Sequence, residues 1–152
     1  MRDARYKLIH NLLWRRPNPI YHHYLIKREP PHLRPEDIEK APAQVRRTYD
    51  MLCQPPEFEL YDLQADPWEF NNMSDDPAHV DILERLKGAL DRWREETNDA
   101  LRHPAILDRF TAEMESVYDF DSHEYAGVKY RKEGFEWKYP SYFFEAPSGE
   151  GM

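Results

Sequence analysis

Cysteine, glycine and long hydrophobic runs are scarce in this sequence of 152 residues. The single cysteine, Cys53, excludes an internal disulfide and a zinc site with several thiolate ligands. None of the five glycines belongs to a phosphate-binding loop, a dinucleotide fingerprint or a Gly-x-Ser-x-Gly motif. No run of about 18 apolar residues occurs, so we expect neither a membrane span nor a membrane partner.

Acidic residues outnumber basic ones by 29 to 21, and the net charge is −8. This balance argues against nucleic acid as a partner, because nucleic-acid-binding domains are usually basic. The charge is uneven, since residues 1–47 hold eleven basic and five acidic side chains. Either the basic part faces solvent or the acidic remainder, or it faces an anionic ligand or another chain. The sequence shows no signal peptide, and it leaves the cellular location open.

Hydrophobic periodicity predicts an α+β chain with two strands and four helices. The strands span residues 6–13 and 58–63, and the helices begin at Pro35, Ala43, Pro77 and Pro104. The longest helix starts at a cap formed by Asp76 and Pro77. Its predicted apolar stripe consists of Val80, Leu83, Leu86, Leu90 and Trp93.

The end of the chain is rich in aromatic residues, with ten of the 21 between Tyr118 and Phe144. Because aromatic side chains bury large areas, we expect this segment to lie across a protein surface. Stacking on sugar rings is the alternative interpretation. We predict that residues 147–152 are disordered.

No constellation of residues typical of catalysis or metal binding occurs. His22 and His23 are adjacent, and adjacent side chains of an extended chain point to opposite sides, so one ion cannot easily bind both. The acidic stretch at residues 119–124 lacks the spacing and the turn glycine of a calcium loop. We therefore expect neither a catalytic residue nor a metal site.

Two stretches resemble blocks found near the C-terminus of sulfatases. Residues 2–12 read RDARYKLIHNL and are similar to the family's R-D-x-x-Y-K-L-I-x-N strand. Residues 59–73 read ELYDLQADPWEFNNM and are similar to its E-L-Y-D-L-x-x-D-P-x-E-x-x-N-L block. The resemblance extends over residues 2–99, and within the family it is closest to the heparan N-sulfatases.

The resemblance implies a fold. In sulfatases this region is the smaller C-terminal subdomain, a four-stranded antiparallel sheet packed by a long helix. We therefore expect residues 1–117 to form a small antiparallel sheet packed by a long amphipathic helix. Residues 118–152 would follow as an aromatic-rich tail of unknown role.

The resemblance also implies what is missing. Sulfatases hydrolyse sulfate esters or sulfamates with a formylglycine made from a Cys/Ser-x-Pro-x-Arg motif, supported by a calcium ion. Residues 53–57 read CQPPE, with Glu57 in place of the arginine, so Cys53 does not supply that motif. We expect no cofactor in this chain, and calcium only in a large sulfatase domain outside it.

The resemblance thus implies a C-terminal part of a sulfatase that is inactive alone and whose partner is a large sulfatase domain or another protein chain. Candidate contacts to a sulfated glycan are Arg15, Arg16, His22 and His23, in a proline-rich segment. Surface charges on a loop explain these four residues equally well. The alternative function is a non-catalytic module that binds a partner chain or a sulfated glycan.

Overall fold

The computed structural model describes residues 1–18, 34–116, 118–119, 124–125 and 136–143. The chain forms two compact units, Met1–Arg92 and Trp93–Met152, each of which is described by itself. The predicted change of character after residue 117 stays a prediction. Residues 147–152, predicted to be disordered, lie outside the described residues.

The first unit confirms the predicted α+β class. Its elements in chain order are β1 (Tyr6–His10), α1 (Pro35–Lys40), α2 (Ala43–Cys53), β2 (Phe58–Asp62) and α3 (Val80–Glu96), which continues past the end of the unit. The two strands pair antiparallel, with Tyr6 opposite Asp62 and His10 opposite Phe58. Each strand is shorter than predicted. In the described residues this sheet has two strands, whereas the resemblance implied four.

A small apolar core joins the sheet to α3. Leu8 and Leu60 lie opposite each other on one face of the sheet and are 1% and 0% exposed. Met73 and Leu86 complete the buried cluster, and Leu90 packs against it. The predicted packing of the sheet by a long amphipathic helix is therefore confirmed.

The predicted stripe of α3 is wrong at both ends, because Val80 and Trp93 are 50% and 52% exposed. The helix has 17 residues and is about 26 Å long, whereas a strand of five residues spans about 17 Å. A sheet this short cannot cover both ends of the helix. The predicted cap before α3 is confirmed, since the Asp76 carboxylate accepts a hydrogen bond from the amide of Ala78.

The second unit contains α4 (Pro104–Glu115), the antiparallel pair of short strands β3 (Tyr118–Asp119) and β4 (Glu124–Tyr125), and α5 (Tyr139–Phe143). The Phe110 ring of α4 lies 5.5 Å from that of Tyr139 and 5.0 Å from that of Phe143. For this described part of the aromatic tail, the prediction of packing against protein is confirmed. In the part of the chain that the structure describes, no helix could cross a membrane.

The carboxylate of Glu113 joins α4 to α5. One oxygen accepts a hydrogen bond from the backbone amide of Lys138, and the other accepts one from the Tyr142 hydroxyl at 2.5 Å. Burial raises the pKa of Glu113, but these hydrogen bonds outweigh it, so the net pKa lies below the ordinary value. Burial, followed by the contact with Glu113, raises the pKa of Tyr142 to about 12.

We expect the packing of α5 on α4 to weaken in acid. Because the pKa of Glu113 is lower in the folded chain, its contribution to stability is fully present above the unfolded value of about 4.3. That contribution is lost as the pH falls through the lower, folded value. The hydrogen-exchange protection factors of the Tyr142 and Phe143 amides, which are corrected for the intrinsic pH dependence of exchange, measure this loss between pH 7 and pH 3.

Glu113→Gln is the control for this prediction. The amide cannot ionise, so the variant should show lower protection factors at pH 7 and little further change in acid. The interpretation is contradicted if the wild-type chain and the variant respond to acid alike.

Candidate functional site

The two blocks that carry the sulfatase resemblance meet in the structure. The Arg5 guanidinium donates to the Asp62 carboxylate at 2.6 and 2.9 Å. The Lys7 ammonium lies 2.6 Å from the Glu69 carboxylate. These pairs join residues 57 and 62 positions apart in the chain. Each block therefore supplies the ionic partners of the other.

Polar side chains within the second block are also satisfied. The Glu59 carboxylate accepts hydrogen bonds from the Asn11 side-chain nitrogen at 2.7 Å and from the Tyr61 hydroxyl at 2.5 Å. Tyr61 is 2% exposed, and its burial, followed by the contact with Glu59, raises the pKa of its hydroxyl. The Arg5 guanidinium lowers the pKa of Asp62. Tyr61 and Asp62 are thus buried and bonded to Glu59 and Arg5, so they stabilise the strand pair and are not exposed to a ligand.

Asn72 covers the outer edge of β2 in place of a further strand. Its side-chain oxygen accepts hydrogen bonds from the backbone amides of Leu60 at 2.8 Å and Ser74 at 3.0 Å. Its amide nitrogen donates to the carbonyl of Phe58 at 3.2 Å. The amide of Met73 then donates to the carbonyl of Leu60 at 2.9 Å. Two residues of β2, Phe58 and Leu60, therefore bond to this one turn.

The segment after β1 is tied to the C-terminal end of α2. The Asn11 side chain donates to the carbonyl of Pro56 at 2.7 Å, and the Gln54 side chain donates to the carbonyl of Trp14 at 2.6 Å. The Asn18 amide donates to the carbonyl of Cys53 at 2.7 Å. These bonds hold residues 11–18 beside α2.

An open groove of about 930 Å³ lies at this junction, and we call it the Trp14 groove. Its lining consists of Trp14, Arg15, Arg47, Asp50, Met51, Gln54, Pro55, Pro56, Asn72 and Asp75. The Arg15 guanidinium stacks 4.4 Å from the centre of the Trp14 ring. The groove therefore combines an aromatic surface with two cations and two acids. A surface of this composition binds polar, partly anionic ligands better than apolar ones.

Of the four predicted glycan contacts, the structure places Arg15 in the groove. Arg16 is exposed next to it, and its carbonyl is 3.5 Å from the Gln54 side-chain nitrogen. His22 and His23 lie outside the described residues. The role predicted for these residues stays a prediction.

Sequence reasoning missed the contribution of α2 to this groove. Arg47, Asp50 and Met51 of α2, with Gln54 directly after the helix, follow the spacing of one helix face, which was the available signal. The described residues contain no group of three or more histidine, cysteine or acidic side chains that could hold a metal ion. Cys53 is a half-buried free thiol, and residues 53–57 do not match the Cys/Ser-x-Pro-x-Arg motif.

Comparison with curated proteins finds a relative over much of the chain. Over 99 residues, which are 65% of this chain, the sequence is 29% identical to human N-sulphoglucosamine sulphohydrolase. The resemblance to sulfatases is therefore confirmed, and the chain spans about a fifth of the length of this relative. No protein-family model matches the chain. No solved structure matches it.

Proposed function

We propose that this chain is a non-catalytic C-terminal subdomain that acts together with a catalytic sulfatase domain. The observation that carries the proposal is the ionic pairing of the two resembling blocks through Arg5 with Asp62 and Lys7 with Glu69. The similarity to a sulphohydrolase five times as long as the matched region supports it. The reaction served would be hydrolysis of a sulfate ester or a sulfamate.

In this proposal the chain supplies no group to the reaction itself. A sulfatase needs a formylglycine, and residues 53–57 place Glu57 where the motif requires arginine. Cys53 is the last residue of α2, and its thiol is free and half-buried. The nucleophile and the calcium ion would both come from the catalytic domain, while this chain would support that domain and border its substrate cleft.

Co-expression tests the proposal. The chain would be produced with and without a chain that carries the Cys/Ser-x-Pro-x-Arg motif and a calcium site, in cells that make formylglycine. We expect a stable complex, with sulfatase activity that neither chain has alone. A catalytic chain that is fully active by itself and does not bind this one would contradict the proposal.

The Trp14 groove favours a second candidate function, the binding of a sulfated glycan. Arg15 and Arg47 are the cations of the groove, and guanidinium groups bind sulfate oxygens in pairs of hydrogen bonds. The ring of Trp14 would support the sugar. Asp50 and Asp75 would reject ligands with anionic groups along their whole length and favour one that also carries a cationic or hydroxyl group.

Binding of a sulfated oligosaccharide to the chain alone tests this candidate. We expect the double substitution Arg15→Ala with Arg47→Ala to weaken binding by about tenfold or more, and salt to weaken binding to the wild type. Arg34→Ala with Arg92→Ala removes the same two charges from exposed positions outside the groove and serves as the control. Equal loss in the control would indicate attraction by net charge and would exclude a site in the groove.

A further inference from the structure

Residues 72–74 read Asn-Met-Ser, which matches the Asn-x-Ser/Thr motif that N-glycosylating enzymes modify. The enzyme has to bind all three residues of the motif, because it attaches the sugar to the side-chain nitrogen of the asparagine and also requires the hydroxyl of the serine. Acceptor sites in use therefore lie in accessible surface loops. In this fold the same three residues form part of the sheet and its core.

The side chain of Asn72 is bonded to the edge of β2. Its oxygen accepts hydrogen bonds from the backbone amides of Leu60 at 2.8 Å and Ser74 at 3.0 Å. Its nitrogen, the atom that would carry the sugar, donates to the carbonyl of Phe58 at 3.2 Å. These bonds take the place of those that a further strand would make with β2. The acceptor nitrogen is therefore part of the sheet edge.

Met73, the middle residue of the motif, belongs to the core. It is 9% exposed and packs in the buried cluster with Leu8, Leu60 and Leu86. Its backbone amide donates to the carbonyl of Leu60 at 2.9 Å. An enzyme that binds residues 72–74 has to pull Met73 out of this cluster and break that hydrogen bond. The folded chain therefore presents the motif only when this part of it unfolds.

We propose that Asn72 is an N-glycosylation acceptor in the unfolded chain only, and that attachment of a glycan and closure of the β2 edge exclude each other. In the transfer, the side-chain nitrogen of Asn72 attacks C1 of the first sugar of a lipid-linked oligosaccharide diphosphate. A C–N bond forms, and the bond between C1 and the diphosphate oxygen breaks. The lipid diphosphate leaves, and the nitrogen gives one proton to a base of the enzyme. This site is independent of the sulfatase function proposed above.

The glycan would keep the turn open for a steric reason. A sugar on the Asn72 nitrogen replaces one of its two N–H groups and brings a bulky polar group within about one bond length of an atom that lies 3.2 Å from the Phe58 carbonyl. Closure of the turn would place this group between β2 and the segment that buries Met73. Because the C–N bond does not reverse, a chain modified before it folds stays in the unfolded population.

Glycosylation of the full chain by a purified oligosaccharyltransferase and its lipid-linked donor tests the proposal. Mass spectrometry would follow modification of Asn72 in the wild type and in two variants. The core variant carries Leu8→Ala with Leu60→Ala, and the surface variant carries Leu13→Ala with Leu52→Ala at positions that are 45% and 40% exposed. We expect the core variant to be modified at least about tenfold faster than the wild type, and the surface variant to stay within about twofold of it.

Ser74→Ala in the core variant controls for the motif itself. It removes the hydroxyl that the enzyme requires, and it keeps the backbone amide that donates to Asn72 in the folded chain. We expect this substitution to abolish modification of Asn72. Modification that persists would show that the enzyme does not act through the motif, and the proposal would be wrong.

The rates and the stability of the product decide between folding and modification. Equal rates for the wild type and the core variant would show that the folded chain presents Asn72, and an unmodified core variant would show that Asn72 is not an acceptor. Either result overturns the proposal. Urea unfolding of the glycosylated wild-type chain tests the exclusion, since we expect it to have no cooperative transition. A midpoint equal to that of the unmodified chain would place the sugar in the Trp14 groove, which Asn72 borders, and would overturn the exclusion.

Discussion

Substitution of Leu60 by alanine is expected to lower the free energy of unfolding by about 2–5 kcal/mol. Leu60 is 0% exposed and lies opposite Leu8 across the sheet, in contact with the cluster that includes Leu86 of α3. The substitution removes buried apolar surface and leaves a cavity that the short sheet cannot close. With so few buried residues in the described part of this unit, one such cavity removes a large share of the core.

Urea unfolding monitored by circular dichroism measures the effect of Leu60→Ala. Leu52→Ala is the matched control, because Leu52 is 40% exposed on α2, and its loss should cost less than about 1 kcal/mol. If both variants unfold at the urea concentration of the wild type, the cluster around Leu60 is not the core of this unit.

Substitution of Asn72 by alanine has the second largest expected effect, a loss of about 1–3 kcal/mol. The side chain accepts hydrogen bonds from two backbone amides and donates to one carbonyl. Alanine would leave the Leu60 amide and the Phe58 carbonyl at the edge of β2 without these partners. Because Met73 is held against the core by the same turn, its burial should weaken as well.

Asn71→Ala is a close control for Asn72→Ala. The Asn71 side chain is exposed, and its contact with Asp66 uses the backbone amide, which alanine retains. We expect this variant to lie within about 0.5 kcal/mol of the wild type. Equal destabilisation by the two substitutions would show that the turn, and not the Asn72 amide, covers the edge of β2.

Helix starts could be predicted from the sequence because their signals are local. Pro35 and Pro104 each open a helix where the sequence placed one, and Asp76 caps the turn before α3. A helix N-terminus depends on the residues within one turn of it, so the identities of those residues are enough to predict where the helix begins. Strand ends were predicted less well. β1 ends at His10, three residues early. The Asn11 backbone amide still donates to Glu57, but Pro55 and Pro56 of the facing chain have no N–H to extend the pairing.

The candidate site could be predicted only in part. A basic, proline-rich segment pointed to Arg15, which does line the Trp14 groove. Arg47 and Asp75 were missed, because their place in the groove depends on how α2 and the turn after β2 meet residues 11–18. The exposure of Trp68 was not predicted either, since it depends on which residues pack against the turn after β2.

By itself, the sequence determined the α+β class, the resemblance to sulfatases and the absence of the formylglycine motif at Cys53. These follow from composition, local periodicity and short blocks of residues. The tertiary structure decided that Arg5 pairs with Asp62 and Lys7 with Glu69, and that Trp68 faces solvent. The two ion pairs join residues about 60 positions apart. The energy of such contacts depends on burial and geometry, which cannot be predicted from a local sequence pattern.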